Sequence, residues 1–422
     1  MINLLGKESF DAYENEINKP FRRALRVNTL KTNAIELSRI FPDIIPSSGI
    51  SSECLFVPED FHVSDNPYHI AGLFYMQEPS AQYPVILLNP RPGETVLDLC
   101  AAPGGKSSQI AGFMQNRGLL ISNEINPSRA AILNGNMERM GVRNAVITNM
   151  SPETLCPLFP EFFDAILVDA PCSGEGMFRR EPNAISEWSP EAVKSCAIRQ
   201  YAILNSAGKC VRQGGRIVYS TCTFSKEENE DIIDHFLSEN PDYSLIEAKR
   251  FYPHTSEGEG QFAALMIRTG HSTVKTSDSA DLCSRKEKQT IHSYLPEIIS
   301  SDKDFNPYLL KDGRCFLLPD SLPSAFRKLH VIRAGVLAGT VLKSRFEPAH
   351  CLFMAYPGER FLNSISVDED LFQIYMGGNT VPCDPSMKGY LAVQFHSHPI
   401  GFGKAVSGTV KNHIPKGLRL RN

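Results

Sequence analysis

Between residues 91 and 270 the hydrophobic positions fall into short runs separated by longer stretches of helical period. The runs are 95–99, 119–123, 144–148, 164–169, 215–220 and 261–267. Between most of them apolar residues recur at helical spacing, as from Ser128 to Arg139 and from Glu191 to Val211. A run such as Ala165-Ile166-Leu167-Val168 is apolar throughout, which suits a strand covered on both faces. The alternation predicts an α/β fold with a Rossmann-like, doubly wound and mostly parallel sheet. Ligands of such sheets sit at the carboxyl ends of the strands.

The flanks read differently. Residues 1–90 form a small mixed α/β domain. Residues 271–295 are polar and without pattern, and read as a linker. A smaller α+β unit fills 296–422, with strands at Leu352-Phe353-Met354 and at 391–395 and a glycine-rich turn at Gly377-Gly378-Asn379.

Composition narrows the class. A chain of 422 residues with 42% hydrophobic content has room for several cores. Its net charge of −4 gives no general pull toward nucleic acid, so any RNA contact must come from local patches. The eleven cysteines are scattered and include no CxxC pair, so no disulfide framework or metal site is expected. The absence of a secretory signal and of any membrane-length apolar run leads to a reducing, cytoplasmic setting without a membrane partner. Nothing demands more than a monomer.

The stretch Val96 to Ala111, VLDLCAAPGGKSSQIA, joins the first run to a helix through a turn of small residues. A P-loop needs a glycine where Cys100 stands, and G-x-G-x-x-G is absent. Two readings stay open here. The turn Cys100-Ala101-Ala102-Pro103-Gly104-Gly105-Lys106 admits the amino-acid part of S-adenosylmethionine, or it merely connects strand to helix.

Other notable residues lie at strand ends. Glu124 follows the second run, where an acid accepts hydrogen bonds from a ribose diol, although it also precedes a helix. Arg129, Asn149 and Ser151 are further candidates for the same ligand. Asp169 follows the fourth run. Cys172 comes just after it, and Cys222 follows the fifth. A lone cysteine is usually an inert apolar filler, and nine of the eleven read that way. These two flank one crevice. A thiolate also suits one reaction there. Carbon 5 of a pyrimidine becomes nucleophilic once a thiolate adds to carbon 6, and loss of the carbon 5 proton then lets the thiolate leave. Asp169 is placed to hold the ring edge and favour protonation at ring nitrogen 3, with Lys106 beside the pocket.

Basic residues offer two RNA surfaces. Arg22, Arg23, Arg26 and Lys31 cluster near the amino end. Lys404, Lys411, Lys416, Arg419 and Arg421 occupy an acid-free carboxyl stretch in which Val406, Val410, Ile414 and Leu418 signal a folded segment. Each set also reads as a solvated face or a solubilising tail.

DLCAAPGGK, DAPCSGEG and YSTCTFSKEENE resemble the motifs of the Sun/Fmu family of RNA cytosine-5 methyltransferases, over residues 20 to 270. The resemblance implies an S-adenosylmethionine-dependent enzyme with Cys222 as nucleophile and Cys172 assisting product release. It also implies cofactor contacts from Cys100 to Lys106, Glu124 and Asp169. The family often has an aspartate where this chain has Ser151, so Asn149 becomes the substitute on the adenine side. Arg250 to Phe262 resembles the family's close of the sheet, with His254 either a general base or a plain loop histidine. The ending GFGK…KNHIPKGLRL resembles the small-subunit ribosomal RNA methyltransferase F branch, where it closes a PUA-like RNA-binding domain. That makes ribosomal RNA, or the small ribosomal subunit, the expected partner. The rivals are a transfer RNA methyltransferase and a catalytically idle RNA-binding assembly factor.

Overall fold

The computed structural model describes residues 2–47, 49–270, 291, 293–300, 305–319, 322–343 and 345–420. The expected linker lies almost wholly outside them, as does Arg421.

Eight strands form the central sheet. They are β1 (Thr95–Asp98), β2 (Leu119–Asn123), β3 (Ala145–Thr148), β4 (Phe163–Asp169), β5 (Val211–Thr221), β6 (Tyr243–Phe251), β7 (Gln261–Arg268) and β8 (Val331–Ala334). The order is β6-β7-β5-β4-β1-β2-β3-β8. The middle five run parallel, and β6, β7 and β8 join antiparallel at the two edges. Helices α1 (Gly105–Phe113), α2 (Pro127–Arg139), α3 (Pro190–Gly208) and α4 (Glu230–Glu239) cover the faces.

The apolar runs work in both directions because successive strand residues point to opposite faces. Val96, Leu120, Ile147 and Leu167 meet Ile110, Leu133 and Met137 on one side. Leu97, Ile121, Ile166 and Val168 meet Ile203, Leu204, Ile233 and Phe236 on the other. Truncating one such leucine to alanine costs about 2–5 kcal/mol. Polar residues start the helices. Asn126 accepts from the N–H groups of Ser128 and Arg129 at the head of α2, and Ser189 accepts from Ala192 N at the head of α3.

The amino-terminal sheet has the order Ile45–Pro46, Cys54–Phe56, Ala24–Val27, Phe74–Met76. It is fastened to α2 by buried polar groups. Asn28 donates to the carbonyls of Gly72 and Met140, and Lys31 donates to those of Ala71 and Arg139. Burial, with Arg139 nearby, lowers the Lys31 ammonium to about 7. Lys31 is therefore a structural anchor and not the phosphate contact expected of it.

The carboxyl-terminal region departs from the expected single unit. It holds two sheets, one from Pro307 to Pro348 and one from Ser364 to Asn412. Between them they straddle the molecule. Segment Val331–Ala334 completes the central sheet, while the second sheet shares a core with the amino-terminal domain through Phe372, Tyr375, Phe395, Leu25, Val27 and Phe74. The strand expected at 352–354 is instead a helix, His350–Ala355. Leu352, Phe353 and Met354 are all buried, so the segment carries no polar face to betray its period. The strand at 391–395 is present within Gly389–Phe395. Among the described residues no helix is long and apolar enough to cross a membrane.

Candidate active site

At the carboxyl end of β1 the chain turns through Leu99 to Gly104 and enters α1. Ala101 N–H donates to Asn123 O at the end of β2, which pins the turn against the sheet. Gly104 has φ +111°, and a Cβ there would lie 3.1 Å from Leu133 Cδ1, so only glycine suits the position. Gly105, the first residue of α1, packs under Tyr75, whose ring would lie 3.1 Å from a Cβ placed there. Two residues hold the turn from outside. Arg129 donates to Ala102 O at 2.9 Å, and Asn136 donates to Pro103 O at 2.9 Å. Asp98, fully buried, accepts from Ser107 at 2.6 Å through one oxygen. Burial lifts its carboxyl to about 7, against the opposing hydrogen bond from Ser107. Its other oxygen is buried without a hydrogen-bond partner among the described residues. Cys100 is a partly buried thiol pushed well up by desolvation, which suits a packing role.

Arg26 lies under this turn. Its guanidinium is 3% exposed and donates to Gln77 Oε1, Gly105 O and Ser108 Oγ. The expectation that it contacts RNA phosphate fails, because its strand is covered on both sides and its donors already bind the head of α1. Arg23 donates to the carbonyls of Glu59 and Phe61, and Arg22 is exposed over the Phe56 ring at 3.5 Å. Lys404 and Lys411 are exposed cross-strand partners in the last sheet, and Lys416 is exposed beyond them. Arg419 is half-buried against Gly378.

Glu124, at the end of β2, is 3% exposed and accepts from Asn126 N at 2.9 Å. Its second oxygen is 3.6 Å from Arg129. Asn149 donates to the carbonyls of Glu124 and Ile125, and Ser151 precedes a short helix with its hydroxyl against Thr154.

Across the crevice, the ends of β4 and β5 carry the polar wall. Lys106, from α1, donates to Asp169 Oδ2 at 2.7 Å, and Ser220 donates to Asp169 Oδ1 at 2.7 Å. Burial would strip Lys106 of its proton, but Asp169 more than offsets it and the ammonium is held above its ordinary range. Cys172 Sγ and Cys222 Sγ lie 3.3 Å apart, although the residues are fifty positions apart in sequence. The hydrogen bond to Cys222, reinforced by burial, raises the Cys172 thiol well above its usual range, so Cys172 keeps its proton.

Residues that the strand-end argument overlooked hold the two cysteine loops. Glu228 is fully buried and accepts from Ser173 N at 3.0 Å, from the Ser173 hydroxyl, and from Gln200 Nε2 at 2.7 Å. Asn229 links Thr221 to Thr223 O. Glu175 accepts from Phe224 N and Thr223 Oγ1. Glu228 and Asn229 belong to the YSTCTFSKEENE motif and Glu175 to DAPCSGEG, so their positions were carried by the motifs. His254 lies 3.0 Å from Ser9 Oγ and edge-on to Tyr13.

Comparison with known proteins covers most of the chain. Residues 85–271 match the family model for the 16S rRNA methyltransferase RsmB/F, and residues 1–79 match the N-terminal domain of 16S rRNA methyltransferase RsmF. Residues 294–356 and 362–420 match the RsmF first C-terminal domain and the RsmF PUA domain, the division seen in the two carboxyl-terminal sheets. Ribosomal RNA small subunit methyltransferase F of Vibrio cholerae is 31% identical, over 95% of this chain and 92% of its own. The namesake from Pectobacterium carotovorum is 30% identical over 97% and 92%. Among solved structures, a methyltransferase homolog from Pyrococcus horikoshii is 30% identical with TM-score 0.55, covering 64% of this chain and 93% of its own. PH0851 is 28% identical with TM-score 0.61, covering 63% and 64%.

Proposed function

The chain belongs to the ribosomal RNA small subunit methyltransferase F family of S-adenosylmethionine-dependent enzymes, and from that premise we propose that it methylates carbon 5 of a cytosine in small-subunit ribosomal RNA through a covalent bond to Cys222. The observation that carries this reading is the pair of sulfurs 3.3 Å apart beside the Lys106–Asp169 pair. Two thiols and a carboxylate at the ends of adjacent strands, with an ammonium from the head of α1, are the groups that pyrimidine addition chemistry uses.

The crevice fits the cofactor. The turn from Cys100 to Lys106 is built of small residues, no side chain of Gly104 caps the head of α1, and Asp98 has a buried oxygen without a partner among the described residues. Glu124 stands where a ribose is held, with Arg129 bracing it, and Asn149 and Ser151 border the adenine side. Bound there, S-adenosylmethionine supplies an electrophilic methyl group.

The chain's own residues do the rest. Asp169, fixed by Lys106 and Ser220, accepts from the exocyclic amine of the cytosine and aligns the ring. The Cys222 thiolate forms a bond to carbon 6, and carbon 5 would take the methyl group as that group's bond to the cofactor's sulfur breaks, leaving a neutral thioether. Carbon 5 then gives its proton to water as the carbon–sulfur bond breaks, and Cys222 leaves as the thiolate it began as. Cys172, protonated and touching that sulfur, assists the departure. The reacting base must leave its stack to reach this crevice, so an unpaired or locally opened site is the substrate. Lys404, Lys411 and Lys416 hold the backbone elsewhere.

Bisulfite sequencing of ribosomal and transfer RNA, from cells with and without the gene, tests the reading. Loss of a methylcytosine in small-subunit ribosomal RNA is the expected result. Loss in transfer RNA overturns the substrate, and no loss overturns the reaction.

A further inference from the structure

We propose that Trp188 is a stacking platform for the nucleotide next to the target base, and that Glu175 ties this platform to the loop of the nucleophile. The proposal rests on the RNA cytosine reading above.

A groove of about 420 Å³ lies beside the Cys222 loop, lined by Leu4, Trp188, Val193, Lys194, Phe224 and Lys226. Phe224 is two residues from Cys222, so the groove borders the loop that carries the nucleophile, while the cysteines themselves do not line it. Trp188 is the chain's one tryptophan and stands 38% exposed, unusual for so large an apolar surface. It is nonetheless held in place. Its indole N–H donates to Glu175 Oε1 at 3.1 Å. Glu175 Oε2 meanwhile accepts from Phe224 N at 2.9 Å and Thr223 Oγ1 at 3.2 Å. One carboxylate therefore joins the exposed ring to the backbone two residues beyond the nucleophile.

An oriented, exposed aromatic ring with lysines at the rim is what unstacked nucleotides bind. Lys194 and Lys226 are exposed on the groove. Flipping the target cytosine also unstacks its neighbour, which then needs a new partner face. Trp188 supplies that face in the groove beside the cysteine loop, and the Glu175 link couples its occupancy to the position of Cys222.

The test uses the full chain and a single-stranded RNA of about 12 nucleotides around the mapped methylcytosine. Because Trp188 is the sole tryptophan, its emission reports the groove directly. We expect saturable quenching by the RNA. Trp188→Ala should raise KM roughly 5- to 100-fold, with Trp188→Phe restoring most of it. An abasic nucleotide on one flank of the cytosine should weaken the wild-type protein but leave Trp188→Ala unaffected. Unchanged emission at RNA concentrations that saturate methyl transfer overturns the platform, as does an abasic penalty equal in both proteins. Mapping that finds no methylcytosine dependent on this gene removes the cytosine-5 reading, and the platform with it. A mapped site whose oligonucleotide fails these tests removes the platform alone.

Discussion

The two walls of the crevice are made of different materials. The cofactor side is backbone: a turn of small residues, the open head of α1 and a glycine at φ +111°. The cysteine side is a lattice of side chains, in which Glu228 and Glu175 reach across to neighbouring segments and Asn229 braces the Cys222 loop from within. A wall of backbone tolerates no added bulk. A wall of side chains tolerates no missing acceptor. The difference follows from the tasks. One wall must admit a ligand closely, and the other must keep two sulfurs at a fixed separation.

Substitutions can break that contrast, beginning with the reacting groups. Cys222→Ala should cut methyl transfer by roughly 10⁴-fold or more and form no covalent adduct with RNA. Cys172→Ala should accumulate the adduct on a denaturing gel; an adduct confined to the Cys222 variant reverses the two roles.

Next comes pH on the backbone wall. Asp98 is raised to about 7 in the folded protein from an ordinary 3.8. Between those values the folded state binds a proton that the unfolded chain has lost, so stability falls as pH rises through that window. The fall is at most about 4 kcal/mol. Asp98→Asn should flatten the change in urea midpoint between these pH values.

On the other wall, Glu228→Ala strands the Ser173 and Gln200 donors, and should lower kcat about 100-fold by releasing the Cys172 loop. Glu228→Gln, which keeps one acceptor, should recover part of it. Gly104→Ala adds a Cβ at an unfavourable φ. It should cost about 1–2 kcal/mol in thermal unfolding and raise KM for the cofactor more than for RNA. If Gly104→Ala harmed only RNA affinity, the division between the walls would fail. The smallest effect lies far away. Lys404→Gln with Lys411→Gln should reduce the slope of log affinity against log salt by about 0.7–0.9 per lysine.

How far the chain could be read tracks the same contrast. The runs that became β1 to β5 and β7 are apolar on both faces, and a pattern reader sees them. β6 is an edge strand whose Leu245 and Ile246 face solvent, so its signal is diluted. β8 arrives from beyond the polar stretch, and no local pattern says which sheet it will join. Arg26 illustrates the reverse error. Beside Arg22 and Arg23 it looks like part of a basic patch, yet its place on a doubly covered strand commits it to the head of α1. The glycines and cysteines of the site carry their spacing in sequence. Glu228 also stands within a motif, yet its task is not legible there, because an acid two residues before a helix looks the same whether it caps that helix or holds a distant loop.

The eighth strand also sets a timetable. The outer edge of β3 has no partner until Val331–Ala334 has been made and paired with it. A nascent chain that has already finished β7 therefore still exposes a row of unpaired backbone groups, the kind of edge on which chains aggregate. A fragment ending near residue 270 would keep that edge for good. The catalytic sheet is thus not a module that can be cut out and moved; its last stitch is sewn by a later part of the chain.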